Sequence, residues 1–340
     1  MSNSVNPIRI ARVGYGPGSS IRLAHNELIQ QTDGLVQAAV CDTSEQARQS
    51  ACDEIGGDLA AYDSLETLLA DDVADLCLLV TPHNTHADLA IQCLEAGKHV
   101  VIDKPFGITY EETQAVMAAA ERAGKLVTVF HNRRWDGDFQ AMRRVIVEEK
   151  LLGDVFHIEG YRGGFKPPRG RWRDVRDVSG GSHYDWGAHG IDQALQLLPG
   201  CTFDTIYGIQ HQDRVFPEMS NEDQIQSIVR FAGGEVLDLQ ISRIAHANRP
   251  AWRVLGTKGA LVSWGGSSLT LYSKLGDHDA TAEIKCGANE WGGFYRNLAG
   301  HLLRDEPLVI TPEDAARVVA VLDYTSRSAR EGRMLKMPCR

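Results

Sequence analysis

The sequence predicts a two-domain α/β protein. An N-terminal doubly wound parallel sheet is followed by a C-terminal α/β domain with a large, mostly antiparallel, open-faced sheet. Three observations carry that expectation. Apolar strands alternate with amphipathic helices over residues 1–131, whereas from 132 to 340 strands mostly succeed one another through short turns. The early strands are apolar along their whole length, which implies burial on both faces and so a parallel sheet covered by helices. A chain of 340 residues also exceeds what one hydrophobic core usually organises.

Taken in order, IRIARVG is the first strand. SIRLAHNELIQ follows as a helix with Ile21, Ala24 and Leu28 on one face. LVQAAVC is the second strand. TSEQARQSACDEI is a helix opened by a capping box, Thr43 at the N-cap and Gln46 three residues on. SLETLLA is a short helix entered from Asp63. DLCLLV is a strand that stops at Thr81-Pro82, and HADLAIQCLEAGK is a helix closed by Gly97. HVVID is a strand. Thr109 to Glu112 forms a second capping box, leading into EETQAVMAAAERAG, and LVTVF is the last strand of this half. After one more helix, GDFQAMRRVIVEEK, the segments VFHIEGYRG, TIYGIQH, DQIQSIVRF, EVLDLQISRI, WRVLGT, GALVSW and SLTLYSK read as strands. TPEDAARVVAVLDYTSRSAREG closes the chain as a helix with Pro312 in its first turn.

Composition narrows the function. Hydrophobic residues at 43% and charged residues at 24% are ordinary for a globular protein. A formal net charge of −10 argues against nucleic acid or an anionic membrane as partner. The seven cysteines are scattered and never spaced as CxxC, which suits reduced thiols in the cytoplasm and no structural zinc. No basic, apolar leader opens the chain, and no apolar run approaches the ~18 residues that span a bilayer. The expected partner is a small molecule.

VGYGPGSS places Gly14 and Gly16 between the first strand and a helix. The first glycine permits the turn, and the second lets the backbone approach a pyrophosphate seated at the helix N-terminus. Tyr15, Pro17, Gly18 and Ser19 complete this expected cofactor loop, with Ser19 where the GxGxxG pattern has its third glycine. An ordinary strand-to-helix turn is the competing reading. Asp42, after the second strand, stands where an acid would accept hydrogen bonds from the adenosine ribose, somewhat beyond the usual spacing of ~20 residues. Its carboxylate repels a 2′-phosphate, so NAD is favoured over NADP, although the small Thr43 and Ser44 leave room for the phosphate. Asp42 also reads as a plain helix N-terminal charge.

Four further stretches fall in order along the chain: TPHNTH (81–86), AGKHVVIDKP (96–105), VFHNRRW (129–135) and GGSHYDWGAHGID (180–192). With the glycine loop they resemble the glucose–fructose oxidoreductase / inositol dehydrogenase family, Gfo/Idh/MocA, over nearly the whole chain. HNRRWDGDF looks closest to the members acting on inositols and related sugars. The resemblance implies a Rossmann domain over 1–131 and a substrate-binding, oligomerisation domain over 132–340. It implies an NAD(P)-dependent oxidoreductase moving hydride between a sugar or cyclic polyol hydroxyl and nicotinamide, and a homodimer or homotetramer formed through the C-terminal sheet.

The resemblance also assigns residues. Lys104 stands in Asp103-Lys104-Pro105, where the family usually has Glu-Lys-Pro, and is expected to reach the nicotinamide ribose and the substrate hydroxyl. Alcohol oxidation develops charge on oxygen, and a fixed cation stabilises it. By itself, a lysine at a strand end would more simply snorkel to solvent. The family's catalytic positions fall on Asp185 and His189, which on a helix lie one turn apart on one face. A histidine suits the role of base for a hydroxyl proton, and a carboxylate can orient it. A surface pair or a metal pair are the other readings, and the family needs no metal. Asp192 is expected to support the helix. Thr81, Pro82 and His86 are expected along the adenosine-to-nicotinamide path, with Asn132 and Arg133 at the ring end. Trp172 and Arg173 are expected near nicotinamide and substrate, with Tyr161, Arg162 and Lys166 as weaker candidates of the same kind. A tryptophan face suits the C–H side of a sugar, and arginine suits hydroxyls. Without the resemblance these segments read as a turn, a linker and a solvated rim. Two rival activities remain: a hydrolase or lyase that keeps NAD bound and oxidises a glycoside transiently, and a binding regulator without chemistry. The intact Lys104, Asp185 and His189 weigh against the second.

Overall fold

The structure, a computed structural model, describes residues 6–16 and 21–339. The chain divides into two compact units. The first is Met1–Gly107, Glu111–Asn132 and Trp291–Ala316; the second is Ile108–Tyr110, Arg133–Glu290 and Arg317–Arg340.

The first unit alternates β1 (Ile8–Val13), α1 (Ile21–Gln30), β2 (Leu35–Cys41), α2 (Glu45–Ile55), β3 (Ala60–Tyr62), α3 (Leu65–Ala70), β4 (Leu76–Leu79), α4 (His86–Glu95), β5 (His99–Ile102), α5 (Tyr110–Ala123) and β6 (Val127–Val129). Its six strands are ordered β3-β2-β1-β4-β5-β6 and every pairing is parallel. β4 and β5 are almost wholly buried, as continuous apolar runs in a helix-covered sheet must be.

Three local expectations shift. The N-cap of α2 is Ser44, whose Oγ accepts from the Ala47 amide at 3.3 Å, not Thr43. Asp42 Oδ1 accepts from the Ser44 amide at 2.8 Å, so the chain turns one residue later. Likewise α3 is capped by Ser64, not entered directly from Asp63. In α1 the buried residues are His25 and Ile29, while Ile21, Ala24 and Leu28 are only half-buried. The helix also packs against a second helix, described next, which rotates its covered face.

The second unit holds α6 (Gly137–Arg143), β7 (Val155–Arg162), α7 (Arg176–Ser179), α8 (His183–Leu197), β8 (Phe203–His211), β9 (Gln224–Phe231), β10 (Val236–Ser242), β11 (Trp252–Gly256), β12 (Gly259–Ser263), β13 (Ser268–Leu275) and β14 (His278–Lys285). The chain then adds α9 (Gly292–Arg304) to the first unit, before α10 (Pro312–Glu331) and β15 (Leu335–Lys336). The nine strands run β14-β13-β12-β11-β7-β10-β9-β8-β15. Only β7 and β10 pair in parallel; every other pairing is antiparallel. Alternate residues of β7, β9 and β10 turn inward onto α8, where Ala188, Ile191, Ala194, Leu237, Leu239 and Val229 share one core.

A single cut at 131/132 misses the return of Trp291–Ala316 to the first unit. The reason is packing. Tyr295 of α9 lies 2.6 Å from the buried Nδ1 of His25 on α1, and Phe294 meets Phe130 edge-on at 4.8 Å. Thr128 Oγ1 also donates to the Ile310 carbonyl at 2.7 Å.

Candidate functional site

In the first unit the assigned residues share one edge of the sheet. Gly14 follows β1, Asp42 follows β2, Thr81 follows β4, Lys104 follows β5 and Asn132 follows β6. All are carboxyl ends of parallel strands, and the order of the strands reverses between β1 and β4, the switch point where such sheets leave a crevice. Main-chain bonds knit this edge: Gly14 N–H to Cys41 O, Val80 N–H to Val13 O, Asp103 N–H to Leu79 O and Phe130 N–H to Ile102 O, each 2.8 Å.

Gly14 has φ +93°, and a Cβ there would sit 2.4 Å from the Val80 carbonyl oxygen, so only glycine fits. A Cβ on Gly16 would meet nothing within 4 Å, leaving the main chain open on that side. Together these make a cradle of the kind a dinucleotide's phosphates occupy. Pro17, Gly18 and Ser19 lie outside the described residues. Asp42 does more than mark the strand end. Its Oδ2 accepts from the Tyr15 amide at 2.7 Å while Oδ1 holds Ser44, so one carboxylate anchors the glycine turn and the start of α2. Thr43 is exposed. Tyr15 presents its amide to this edge, but its side chain is buried at 1% exposure. There the hydroxyl donates to Glu54 Oε2 at 2.7 Å and accepts from Asn26 at 2.6 Å.

His86 is 1% exposed, and its ring spans two strand ends. Nδ1 lies 2.7 Å from the Pro105 carbonyl and Nε2 3.0 Å from the Thr81 carbonyl. It therefore ties the loop carrying Lys104 to the loop carrying Thr81 and Pro82, a tethering place not foreseen when it was set along the cofactor path. Asp103 Oδ1 accepts from the Lys104 amide at 3.0 Å, which fixes the lysine's main chain. A cleft of about 1070 Å³ elsewhere in this unit, lined by Arg9, Gln30, Ala38, Glu54, Asp58 and Tyr62 among others, shares none of the assigned residues.

In the second unit Trp172, Arg173, Asp185 and His189 come together at the start of α8, while Tyr161, Arg162 and Lys166 do not join them. Asp185 and His189 lie four residues apart in the helix, hence on one face. Arg173, in the short 3₁₀ turn Trp172–Asp174, approaches Asp185 at 3.9 Å and stacks over Trp172 at 4.2 Å. Trp186 lies 6.1 Å from the His189 ring and under the guanidinium of Arg133 at 4.6 Å. Lys166 holds its place by main chain, its amide donating to Arg243 O at 2.9 Å. Tyr161 is 6% exposed and its hydroxyl has no hydrogen-bond partner, while burial lowers the pKa of Arg162, whose Nη1 donates to Tyr161 O at 3.0 Å. These two belong to the interior of β7 more than to an open rim.

Two buried ion pairs hold α8. Asp192, 2% exposed, takes three hydrogen bonds from Arg134 at 2.7–3.1 Å, as its supporting role requires. His183, whose use the motif left open, has Nδ1 3.0 Å from Glu222 Oε1 and Nε2 2.9 Å from Leu322 O, and Arg176 meets Glu222 at 2.9 Å. Burial would raise the Glu222 pKa, but the hydrogen bond and charge of His183 and the charge of Arg176 outweigh it and hold the carboxyl below its usual range. Among the described residues no cluster of histidine, cysteine and carboxylate side chains is arranged to hold a metal, and no helix is long and apolar enough to cross a membrane.

Comparison with known proteins agrees with this geometry. Residues 8–131 match an oxidoreductase family described by its NAD-binding Rossmann fold, and residues 144–337 match the C-terminal alpha/beta domain of the same family. The oxidoreductase YdgJ of Escherichia coli is 32% identical over 76% of this chain and 71% of its own. The scyllo-inositol 2-dehydrogenase (NADP(+)) IolW of Bacillus subtilis is 25% identical over 98% and 97%. The crystal structure of an NAD-binding protein from Listeria innocua superposes with a TM-score of 0.85 at 27% identity, over 98% of this chain and 97% of that one.

Proposed function

Because the chain belongs to the Gfo/Idh/MocA oxidoreductase family, we propose that it oxidises a secondary hydroxyl of a cyclic polyol or pyranose, or reduces the matching ketone, with NAD as the preferred cofactor and NADP as the alternative. When bound, the nicotinamide cofactor supplies the hydride acceptor. The chain's own residues do the rest. Gly14 and Gly16 admit the phosphates, Asp42 faces the adenosine ribose, and the loop tied by His86 presents Lys104. The Lys104 ammonium stabilises negative charge on the substrate oxygen. The His189 imidazole takes the hydroxyl proton, oriented by Asp185 with Arg173 beside it. Trp172 and Arg173 offer an apolar face and hydrogen-bond donors to a sugar ring. The chain is proposed to work in the cytoplasm as a homodimer or homotetramer through its nine-stranded sheet.

The observation that carries this reading is the glycine cradle on the strand edge that also ends in Lys104. Relatives named inositol dehydrogenases point to the substrate class. The test is a spectrophotometric screen of both cofactors against inositols, aldoses and glycosides. Reduced cofactor accumulating with an inositol or aldose supports the reading. Glycoside turnover without that accumulation overturns it in favour of a retained-cofactor hydrolase or lyase.

A further inference from the structure

Arg12 is the fifth of six residues in β1, IRIARV, and is 1% exposed, whereas Arg9 in the same strand reaches Asp72 and Asp75 nearer the surface. Its Nη1 donates to the Arg22 carbonyl at 2.9 Å and to Asn26 Oδ1 at 2.8 Å, both on α1. Its Nε and Nη2 are buried with no hydrogen-bond partner among the described residues. The guanidinium lies 4.6 Å from the centre of the Tyr15 ring, the middle residue of the Gly14-Tyr15-Gly16 turn. Among the described residues no carboxylate hydrogen-bonds to it, and Asp103 acts on it through charge alone. The nearby Glu54 is already engaged by the Tyr15 hydroxyl and by Arg22 at 2.7 Å. Burial lowers the Arg12 pKa to about 10, which still leaves a cation at neutral pH. Burial, then the charge of Arg12, keeps His25 neutral, and His25 Nε2 also has no partner. Arg22 and Glu54 are part-exposed, and the charge of Asp103 also acts on Arg12. Arg12 itself is a buried cation with no hydrogen-bonded counter-anion among the described residues, a costly arrangement that a bound anion would relieve.

The position of Arg12 says where that anion belongs. The residue lies two positions before Gly14, and its bond to the Arg22 carbonyl reaches the first turn of α1. Helix N-termini attract anions by themselves. Here a buried cation with two nitrogens lacking partners among the described residues reinforces the same end. We propose that Arg12 is the buried electrostatic counterpart of the cofactor's pyrophosphate, acting through its field across the glycine turn. This rests on the reading that the first unit holds a nicotinamide dinucleotide. Arg12 acts on binding, and its side chain takes no part in hydride transfer.

The test is calorimetric titration of the whole protein, without substrate, using NAD, ADP and adenosine as probes. Arg12→Met removes the charge and keeps the bulk. Arg12→Gln keeps a donor toward Asn26 and Arg22, and serves if the methionine variant does not fold. Arg12→Lys keeps the charge. A unit charge acting at this range through a partly polar interior is worth about ten-fold in affinity. The neutral variants are expected to bind NAD and ADP about ten-fold more weakly, to bind adenosine unchanged, and to show a shallower salt dependence of ADP affinity. Arg12→Lys is expected to recover most of the loss. Equal NAD and ADP affinities in wild type and neutral variant overturn the proposal. So does an equal loss for adenosine, which would make Arg12 a strut of the loop. A wild-type protein that binds no dinucleotide fails the underlying reading instead, and is told apart because that result needs no variant.

Discussion

At the edge of the six-stranded sheet the groups on offer are mostly main chain. At the start of α8 they are side chains. The first arrangement needs exact backbone positions, so it relies on a glycine that no other residue can replace and on a carboxylate, Asp42, that pins two amides. The second needs exact rotamers, so it relies on buried ion pairs, Arg134–Asp192 and Arg176–Glu222–His183, behind the working face. The contrast teaches where each unit is vulnerable. Substitutions that add a methyl group should break the first, and substitutions that remove a charge should break the second.

The largest expected effect is on chemistry. Lys104→Ala and His189→Ala should each lower kcat by about 10²–10³, with the cofactor Kd nearly unchanged. Steady-state kinetics beside calorimetry checks this, and near-normal turnover would remove that residue from the mechanism. Next is Arg134→Ala. It leaves Asp192 buried without its guanidinium and should cost about 3–5 kcal/mol of stability by denaturant unfolding. A loss below 1 kcal/mol would mean that α8 does not depend on the pair. Gly14→Ala forces a Cβ against Val80 O at positive φ. It should cost about 1–3 kcal/mol and weaken dinucleotide binding, measured by thermal melting with and without cofactor. Asp42→Ala should shift the NADP-to-NAD ratio of kcat/KM about ten-fold toward NADP, since a like charge near the ribose is lost. An unchanged ratio would leave Asp42 as a loop anchor only.

The smallest effect distinguishes the units by acid. In the first unit, burial and then Lys125 lower the His99 pKa to about 4, and His25 is held below its usual range by burial and Arg12. A lowered folded value means that the unfolded chain binds more protons. Their contribution to stability is therefore full above the unfolded value of about 6.5 and is lost as pH falls through the folded one. Behind α8 in the second unit a lowered value is that of Glu222, whose contribution is present above about 4.3 and fades only below it. Segment-resolved hydrogen exchange, corrected for intrinsic rates, should show β5, which opens with His99, losing protection between about pH 6.5 and 4 while α8 keeps it. Simultaneous loss would contradict the assignment.

Periodicity made most of this architecture legible. The parallel sheet followed from continuous apolar runs, whereas the helix carrying Asp185 and His189 entered only as a condition on the family resemblance. What escaped notice lacked a local signal. β14, HDATAEIK, is largely exposed and carries almost no apolar alternation. β3 is three residues long. The parallel pairing of β7 with β10 and the return of α9 to α1 depend on partners far away in sequence. Among candidate residues, the strand-end positions were legible because glycine, aspartate and lysine interrupt apolar runs. The inward turn of Tyr15 and the tether made by His86 depend on bonds to Glu54, Asn26, Thr81 and Pro105 that no motif encodes. Arginines inside a strand expected to be buried on both faces were a visible anomaly, and Arg12, next to the glycine turn, could have been singled out on that ground.

The loan of Trp291–Ala316 to the first unit has a bearing on inheritance. A gene fragment ending near residue 131 would encode a nucleotide-binding half whose His25 has lost Tyr295 and whose Phe130 has lost Phe294. Shuffling this half into another protein therefore takes more than one crossover, so the two halves are expected to have travelled together.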